Sequence, residues 1–586
     1  MLRFSRSTGL VALFALSALG CGASREVSTG ELEDGGTDTG GTSDEGIDLG
    51  PTDGGPTLES LDLDPINATI IIDTTSTPVV RATQTYKVTQ KSADGTTKDV
   101  TADTTMTVDD PSLGTFAGTT FTSTDALPGG VKGITTVVRA SALGKSGAAN
   151  LTIVQLRRAP DKPGTGDFFF LVPYKGAPSP DKDVLKFGTN IKQVDVAFAM
   201  DTTGSMGGQV AGLKASLSST IFPGLTKAIP SVGLSVAYLD DYPTGSYGSP
   251  TCGKALPGDL PVGILQVITT DLKKAQDGAN KLETHCGADG PESQIPAMQH
   301  ILTGEALPWP GGSVAKHTPA AGTTGGVDFR PGALPVIALI TDVSWHDAAS
   351  SPYSFAAPNM TTLKAAFAKA NARFVDLTTT FAPETQADEL SDATKSALPP
   401  AAFGACAAGG TGTCCTDSGG KGRAATGPGG TCRLNFRYTC SGGTCDISTG
   451  IVNAIKAISA GSVFDVTATW ANDPANPPAE AGGPPVDASK FIKNLRAMKE
   501  GDAKAGCPAA TTKDTDGDGI DDTFVGVIVG SPVCFEVIPA MNITVPPKSM
   551  AQFFNAFINV LGMPGGIKLD LRSVLFEVPP TAEVPK

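Results

Sequence analysis

The chain has 586 residues, 40% of them hydrophobic, with 70 Gly, 44 Pro, 11 Cys and a formal charge of −15, a length with room for several domains. The negative charge is concentrated: nine acids stand against Arg25 alone between residues 22 and 57, and five aspartates lie between Asp514 and Asp522. The rest is close to neutral and has no basic stripe, which excludes nucleic acid as a partner, because neutralising phosphates takes clustered Lys and Arg.

Arg3 and Arg6 precede an apolar run, Leu10 to Leu19, that is too short to span a bilayer. It ends in Ala18-Leu19-Gly20-Cys21, which resembles the lipobox of bacterial lipoproteins, with Ala18 where Leu is more usual. The resemblance implies a signal peptide over 1–20, removed before an acylated Cys21. An ordinary secretory signal is the alternative, and both take the chain out of the cytoplasm. Gly22, where Asp would follow in an inner-membrane lipoprotein, points to a lipid-anchored protein of the outer membrane, periplasmic or surface-exposed. Residues 21–57 are Gly, Asp, Thr and Ser with few apolar side chains, so they cannot bury enough surface to offset the entropy of ordering and form a flexible linker. No other segment approaches the length of a membrane helix, so any membrane contact is through the lipid anchor alone.

Residues 58–157 predict an all-β sandwich. Thr69–Asp73, Thr85–Thr89, Thr105–Val108 and Thr135–Val138 are short β-branched runs, separated by turn signals at Ala93-Asp94-Gly95 and Pro128-Gly129-Gly130. The stretch SADGTTKDVTADTTMTVDDPSLGTF, followed by ANLTIVQL, resembles bacterial Ig-like group 2 domains. That resemblance implies a spacer that projects a binding domain.

After a β segment at 158–190 the pattern changes to alternating strands and helices over 191–500, which predicts a doubly wound, Rossmann-like α/β domain. Val194–Met200 is a buried strand, and Val210, Leu213, Leu217 and Ile221 recur at helical spacing. Val232–Leu239 and Val262–Ile268 read as strands joined through Cys252. Val336–Ile340 is apolar throughout, as a central parallel strand should be. Leu363–Ala370 and Ile451–Ile458 read as helices, Phe374–Leu377 as a strand, and Val463–Thr469 as the last strand of the domain.

The first of these strands runs into Asp201-Thr202-Thr203-Gly204-Ser205. In a tight strand-to-helix loop the alternate side chains of 201, 203 and 205 can converge on one hard cation, and a carboxylate with two hydroxyls suits Mg²⁺ or Ca²⁺. The same hydroxyls could instead merely cap the following helix. The pattern is similar to the D-x-T/S-x-S signature of von Willebrand factor type A domains, whose metal-ion-dependent adhesion site it opens. The resemblance extends to Ile340-Thr341-Asp342…His346 at the end of the central strand, which implies Asp342 as a further ligand. It also extends to Cys286-Gly287-Ala288-Asp289-Gly290-Pro291-Glu292, which implies Asp289 where the family usually carries Thr. An added carboxylate there would weaken attraction for an acidic partner.

Six cysteines, Cys406, Cys414, Cys415, Cys432, Cys440 and Cys445, crowd into a Gly-rich insertion at 400–448. So little apolar content cannot build a core, which predicts disulfides in an oxidising compartment; zinc is the rival, without a Cys-x-x-Cys pair to support it. Six cysteines allow 15 pairings. Cys252 with Cys286 and Cys507 with Cys534 are the remaining candidate pairs. Within the C-terminal β domain, 501–586, Asp514, Asp516 and Asp518 with Gly519, the Ile520 position and Asp522 match the first half of a calcium loop and resemble a thrombospondin type-3 repeat. An EF-hand would need Glu where Val525 stands. A solvated acidic turn is the alternative. Val525–Val529, Val533–Ile538, Phe553–Leu561 and Val574–Val578 read as strands, and Phe168–Pro173 and Val574–Pro579 read alike, as though segments on either side of the α/β domain belonged to one sandwich.

An enzyme would need a nucleophile–base pair or a catalytic metal. His285, His300, His317 and His346 form no His-Glu-x-x-His, and no Gly-x-Ser-x-Gly or phosphate-binding loop occurs. His285 and His346 could approach the cation, and Trp345 could be core or a contact residue at a binding rim. The sequence therefore reads as a cell-envelope adhesion protein, not an enzyme, that engages a protein or other surface macromolecule through an acidic group. A structural envelope protein without metal-dependent binding is the second reading.

Overall fold

A computed structural model describes residues 58–74, 77–92, 94–156, 168–251, 258–379 and 384–581. The expected signal peptide at 1–20, Cys21, the expected linker at 21–57 and Cys252 lie outside the described residues. The chain is multidomain and rich in β-sheet, and no helix among the described residues is long and apolar enough to cross a membrane.

The first domain packs three small sheets around one core. Along Asn67–Asp73 the burial alternates, so Ala68, Ile70 and Ile72 meet Val88, Val138, Leu151 and Ile153 inside. The expected strand Thr85–Thr89 is broken. Thr83–Thr85 pairs with Thr120–Ser123, while Lys87–Ser92 pairs with Leu58–Asp64. Tyr86, at the crossing between sheets, is buried.

A second sandwich is built from both sides of the α/β region. Phe168–Leu171 lies parallel to Ile567–Val578, Phe168 opposite Val574, and Asp183–Phe187 lies antiparallel to Val533–Pro539. The sheets meet through aromatic rings, with centroids 6.1 Å apart for Phe168 and Phe187 and 5.1 Å for Phe524 and Phe535. Cys507 is joined by a disulfide to Cys534 on Val533–Pro539, the middle strand of the three-stranded sheet. Val463–Asn472 belongs to this sandwich and not to the α/β sheet: it pairs antiparallel with Gln552–Met563 and Thr523–Ile528. Its alternating burial is that of a strand covered on one face, unlike the central strands of the α/β sheet, which are buried almost throughout.

Between these halves stands a sheet of six strands: β1 (Gln193–Asp201), β2 (Ser231–Leu239), β3 (Gly263–Thr269), β4 (Leu334–Ile340), β5 (Arg373–Thr378) and β6 (Asn435–Arg437). Their order is β3-β2-β1-β4-β5-β6, parallel except for β3. Strand β6 comes from the Cys-rich stretch, which is therefore part of the sheet as well as an insertion. Alternate residues of β1 enter different cores. Val196, Phe198 and Met200 pack with α1 (Gly207–Ser216), α2 (Phe222–Ala228), α3 (Leu272–Asn280) and a helix over Ser448–Gly461, whereas Ala197 and Ala199 face α4 (Gln294–Thr303) and the helices Met360–Ala370 and Thr385–Ala393. Each Val, Leu or Ile buried this way contributes about 1.5–3 kcal/mol.

All six crowded cysteines are in disulfides, Cys406–Cys415, Cys414–Cys432 and Cys440–Cys445, which leaves no thiolate there for zinc. Cys286 is also disulfide-bonded. The amino ends of the parallel strands abut the second sandwich: Lys192 and Gly332 bond the backbone of Lys568, and Asn371 Nδ2 donates to the Pro564 carbonyl. The loops at the carboxyl ends lie at the opposite edge.

Candidate metal centre

The direction of winding reverses between β1 and β4, and in such sheets ligands collect outside the carboxyl ends of the strands at that point. Asp201 ends β1. After it Thr203 is extended, Gly204–Met206 makes a 3₁₀ turn, and α1 begins at Gly207. The turn folds Thr203 back, so Asp201 Oδ1 accepts from the Thr203 amide (3.0 Å) and hydroxyl (2.7 Å). Asp201 Oδ2 accepts from the Thr341 hydroxyl just beyond β4, at 2.8 Å. Ser205 Oγ donates to Asp342 Oδ1 at 3.1 Å. Two loops thus bring Asp201, Thr203, Ser205 and Asp342 together, with Thr341 as an oxygen the sequence reading left out of the ligand set.

Among the described residues no cationic side chain is paired with the Asp201 carboxylate. Burial pushes the Asp201 carboxyl up to about 7; hydrogen bonds from Thr203 and Thr341 oppose this and the charge of Asp342 adds to it, with no cation among the groups acting on it. Asp201 and Thr203 are buried, while Ser205 is exposed and Asp342 half-buried, so the cluster opens to solvent on one side.

Asp289 has another neighbour. Its loop is tied to the first one, with His285 N donating to Thr202 O (2.6 Å) and Gly204 N to Cys286 O (3.1 Å). Gly287, at φ +63°, lets the loop pack on Thr203; a Cβ there would lie 2.7 Å from Glu292 Oε1 and 3.0 Å from Thr203 Cγ2. The Asp289 carboxylate, however, is 3.4 Å from His346 Nε2, grouped with Asp241. The acid of this motif that feels Asp201 most is Glu292: burial first, then the charges of Asp201, Asp241, Asp240 and Asp289, hold its carboxyl up at about 11. Asp289 is thus grouped with Asp241 and His346, and Glu292, which the sequence reading did not count among the ligands, is the buried acid of this motif on which the charge of Asp201 acts. The pair Asp240-Asp241 was legible in principle, since it follows an apolar strand just as Asp201 and Asp342 do.

Asp240 braces the floor. Its Oδ1 accepts from Thr202 Oγ1 (2.6 Å) and its Oδ2 lies 2.7 Å from His285 Nδ1. Burial lowers the His285 pKa, but the hydrogen bond and charge of Asp240 outweigh it and the net shift is upward. Trp345 is core, edge-on to Phe374. His300 bonds the Glu305 carbonyl and His317 reaches Asp328.

In the acidic loop, Asp514, Asp516 and Asp522 have carboxylate oxygens within 4.8 Å of one another. Asp518 does not join them: its Oδ2 accepts from Asn494 Nδ2 (2.8 Å) and its Oδ1 from the Ile520 amide (2.8 Å). Amides of Gly519 and Gly517 hold the Asp514 carboxyl below its ordinary value. Both glycines have positive φ, which the turn requires.

No protein-family model matches this chain, and no curated protein does. Among solved structures it is similar to a von Willebrand factor type A protein from Catenulispora acidiphila, at 9% identity and TM-score 0.24, covering 81% of this chain and 74% of the other. It is also similar to the pilus adhesin SpaC from Lactobacillus rhamnosus GG in its open conformation, at 10% identity and TM-score 0.25, covering 81% of this chain and 55% of SpaC.

Proposed function

We propose that this chain is an exported, lipid-anchored binding protein whose α/β region is a doubly wound von Willebrand factor type A-like domain. Asp201, Thr203, Ser205 and Asp342, with Thr341 behind them, hold Mg²⁺ or Ca²⁺, and a carboxylate of a surface macromolecule completes the coordination. The observation that carries this reading is the meeting of those oxygens at one sheet edge around a buried carboxylate that no cationic side chain among the described residues pairs with. The donors fit such an ion. All are oxygens, which hard cations prefer, and hydroxyls leave part of the positive charge for an outside acid. Disulfides among the described residues agree with an oxidising compartment, and the lipobox-like sequence at Cys21 supports the anchor. The Asp514–Asp516–Asp522 group is a calcium loop that stiffens its connection.

The test is titration of chelator-treated chain with Mg²⁺ and Ca²⁺, wild type against Asp201→Ala. Binding lost in the variant with the fold intact is the expected result. Equal binding by both, or partner capture insensitive to chelator, would leave a structural envelope protein.

A further inference from the structure

Beside this centre, we propose, Asp241, Asp289 and His346 form a second cation site that takes a transition-metal dication, Zn²⁺ in the first instance. The three residues come from the loops after β2, before α4 and after β4, and their ligand atoms all lie within 4.8 Å of one another.

His346 is 1% exposed and its Nδ1 lies 2.8 Å from the Ser351 carbonyl, which can only accept. Nδ1 therefore carries the hydrogen, and in the neutral ring Nε2 presents a lone pair. That nitrogen is 3.2 Å from Asp241 Oδ2 and 3.4 Å from Asp289 Oδ2, within ion-pair distance of both, although neither contact has the alignment of a good hydrogen bond. Asp241 is fully buried; its Oδ1 is satisfied by the Tyr242 amide (2.6 Å) and the Tyr353 hydroxyl (2.7 Å), and its Oδ2 has no hydrogen-bond partner. Asp289 Oδ1 and Glu292 Oε2 are also buried without one. Acceptors that converge without a donor are costly to bury, and a cation resolves the conflict. A proton on Nε2, which burial disfavours and the neighbouring Asp241 favours by drawing the His346 pKa upward, is the competitor that the metal displaces.

The spacing suits a metal. Ligands about 2.1 Å from a tetrahedral ion stand about 3.4 Å apart, the separation His346 Nε2 keeps from the two carboxylates. One imidazole with two carboxylates favours Zn²⁺ over the hard ions of the neighbouring centre. The scaffold is preorganised: Glu292 N donates to Ser344 O and His346 N to Glu292 O, locking two of the loops, while Tyr353 packs 4.3 Å from the His346 ring. The Asp289 side chain is 31% exposed, which leaves an entry path. The other buried trio, Asp240, Asp259 and His285, differs, since each of its carboxylate oxygens already accepts a hydrogen bond. An ion at the second site offsets the surplus of acid beside Asp201, so that the first cation can still draw an acidic partner. That role rests on the adhesion reading; the metal binding does not.

The test uses the full chain in an Asp201→Ala background, which silences the first centre. Protein stripped with chelator and desalted is equilibrated with Zn²⁺, and bound zinc is measured by elemental mass spectrometry and by competition with a chromogenic chelator. The expected result is one zinc per chain, with affinity falling about tenfold or more on His346→Gln and on Asp289→Asn. Asp289→Asn alters a partly exposed side chain and decides the matter should His346→Gln fail to fold. A chain that retains no zinc, or an affinity unchanged by Asp289→Asn, overturns the site. Loss of Mg²⁺ or Ca²⁺ binding in Asp201→Ala is scored separately and tests only the first centre.

Discussion

Ser205 Oγ donates to Asp342 Oδ1 across 3.1 Å, although 137 residues separate them in the chain. The contact exists because β1 and β4 are adjacent and parallel, so both strands deliver their following loops to the same edge. Ser205→Ala and Asp342→Ala each remove one oxygen from the proposed cation. Calorimetric titration with Mg²⁺ should show affinity falling about tenfold or more for either, with far-UV circular dichroism unchanged, since Ser205 is exposed and Asp342 only half-buried.

Thr341 supplies one hydroxyl to two buried side chains, donating to Asp201 Oδ2 and accepting from Gln294 Nε2 at 3.0 Å, and it accepts more distantly from the Val343 amide at 3.5 Å. Thr341→Val keeps the shape but strands both buried groups. Denaturant unfolding of cation-free protein should show a loss of about 1–3 kcal/mol. No loss would mean that water takes the place of the hydroxyl.

Glu577 joins the two sandwiches. Its Oε1 accepts from Thr69 Oγ1 at 2.9 Å, its Oε2 is buried without a partner, and burial holds its carboxyl up at about 7 from an ordinary 4.5. Because the folded state binds this proton more tightly than the unfolded one, stability drawn from the group falls as pH rises from about 4.5 through 7. Glu577→Gln should therefore raise stability at pH 8 by about 1–3 kcal/mol, and the gain should vanish toward pH 4.5. Parallel unfolding curves at pH 4.5 and 8 would show it, and a gain independent of pH would refute the assignment.

The Cys507–Cys534 disulfide closes a loop of 27 residues against the centre of a three-stranded sheet. In the chain-entropy account such a link is worth about 3–4 kcal/mol. Cys507→Ser with Cys534→Ser should lower the unfolding free energy by that order, and the Mg²⁺ titration should be unaffected because the centre lies at the far edge of the α/β sheet.

Local patterns in the sequence determined a good deal. The apolar runs of β1 and β4, the helical spacing of Val210 and Leu213, and the Asp201-to-Ser205 loop all depend on residues near one another in the chain, and they are where the reading put them. The likeness of Phe168–Pro173 to Val574–Pro579 likewise pointed to one sandwich built from both flanks, and the structure adds that these two strands lie side by side. Only the tertiary structure decided the rest. Val463–Asn472 has a strand's pattern in either sheet, and its place in the second sandwich follows from which partners reach it. Asp289 and Glu292 are acids of one short motif, and nothing in their spacing says that Asp289 meets His346 while Glu292 is buried where it feels Asp201. Strand membership and burial are set by long-range packing, to which a periodicity of two or 3.6 residues is blind.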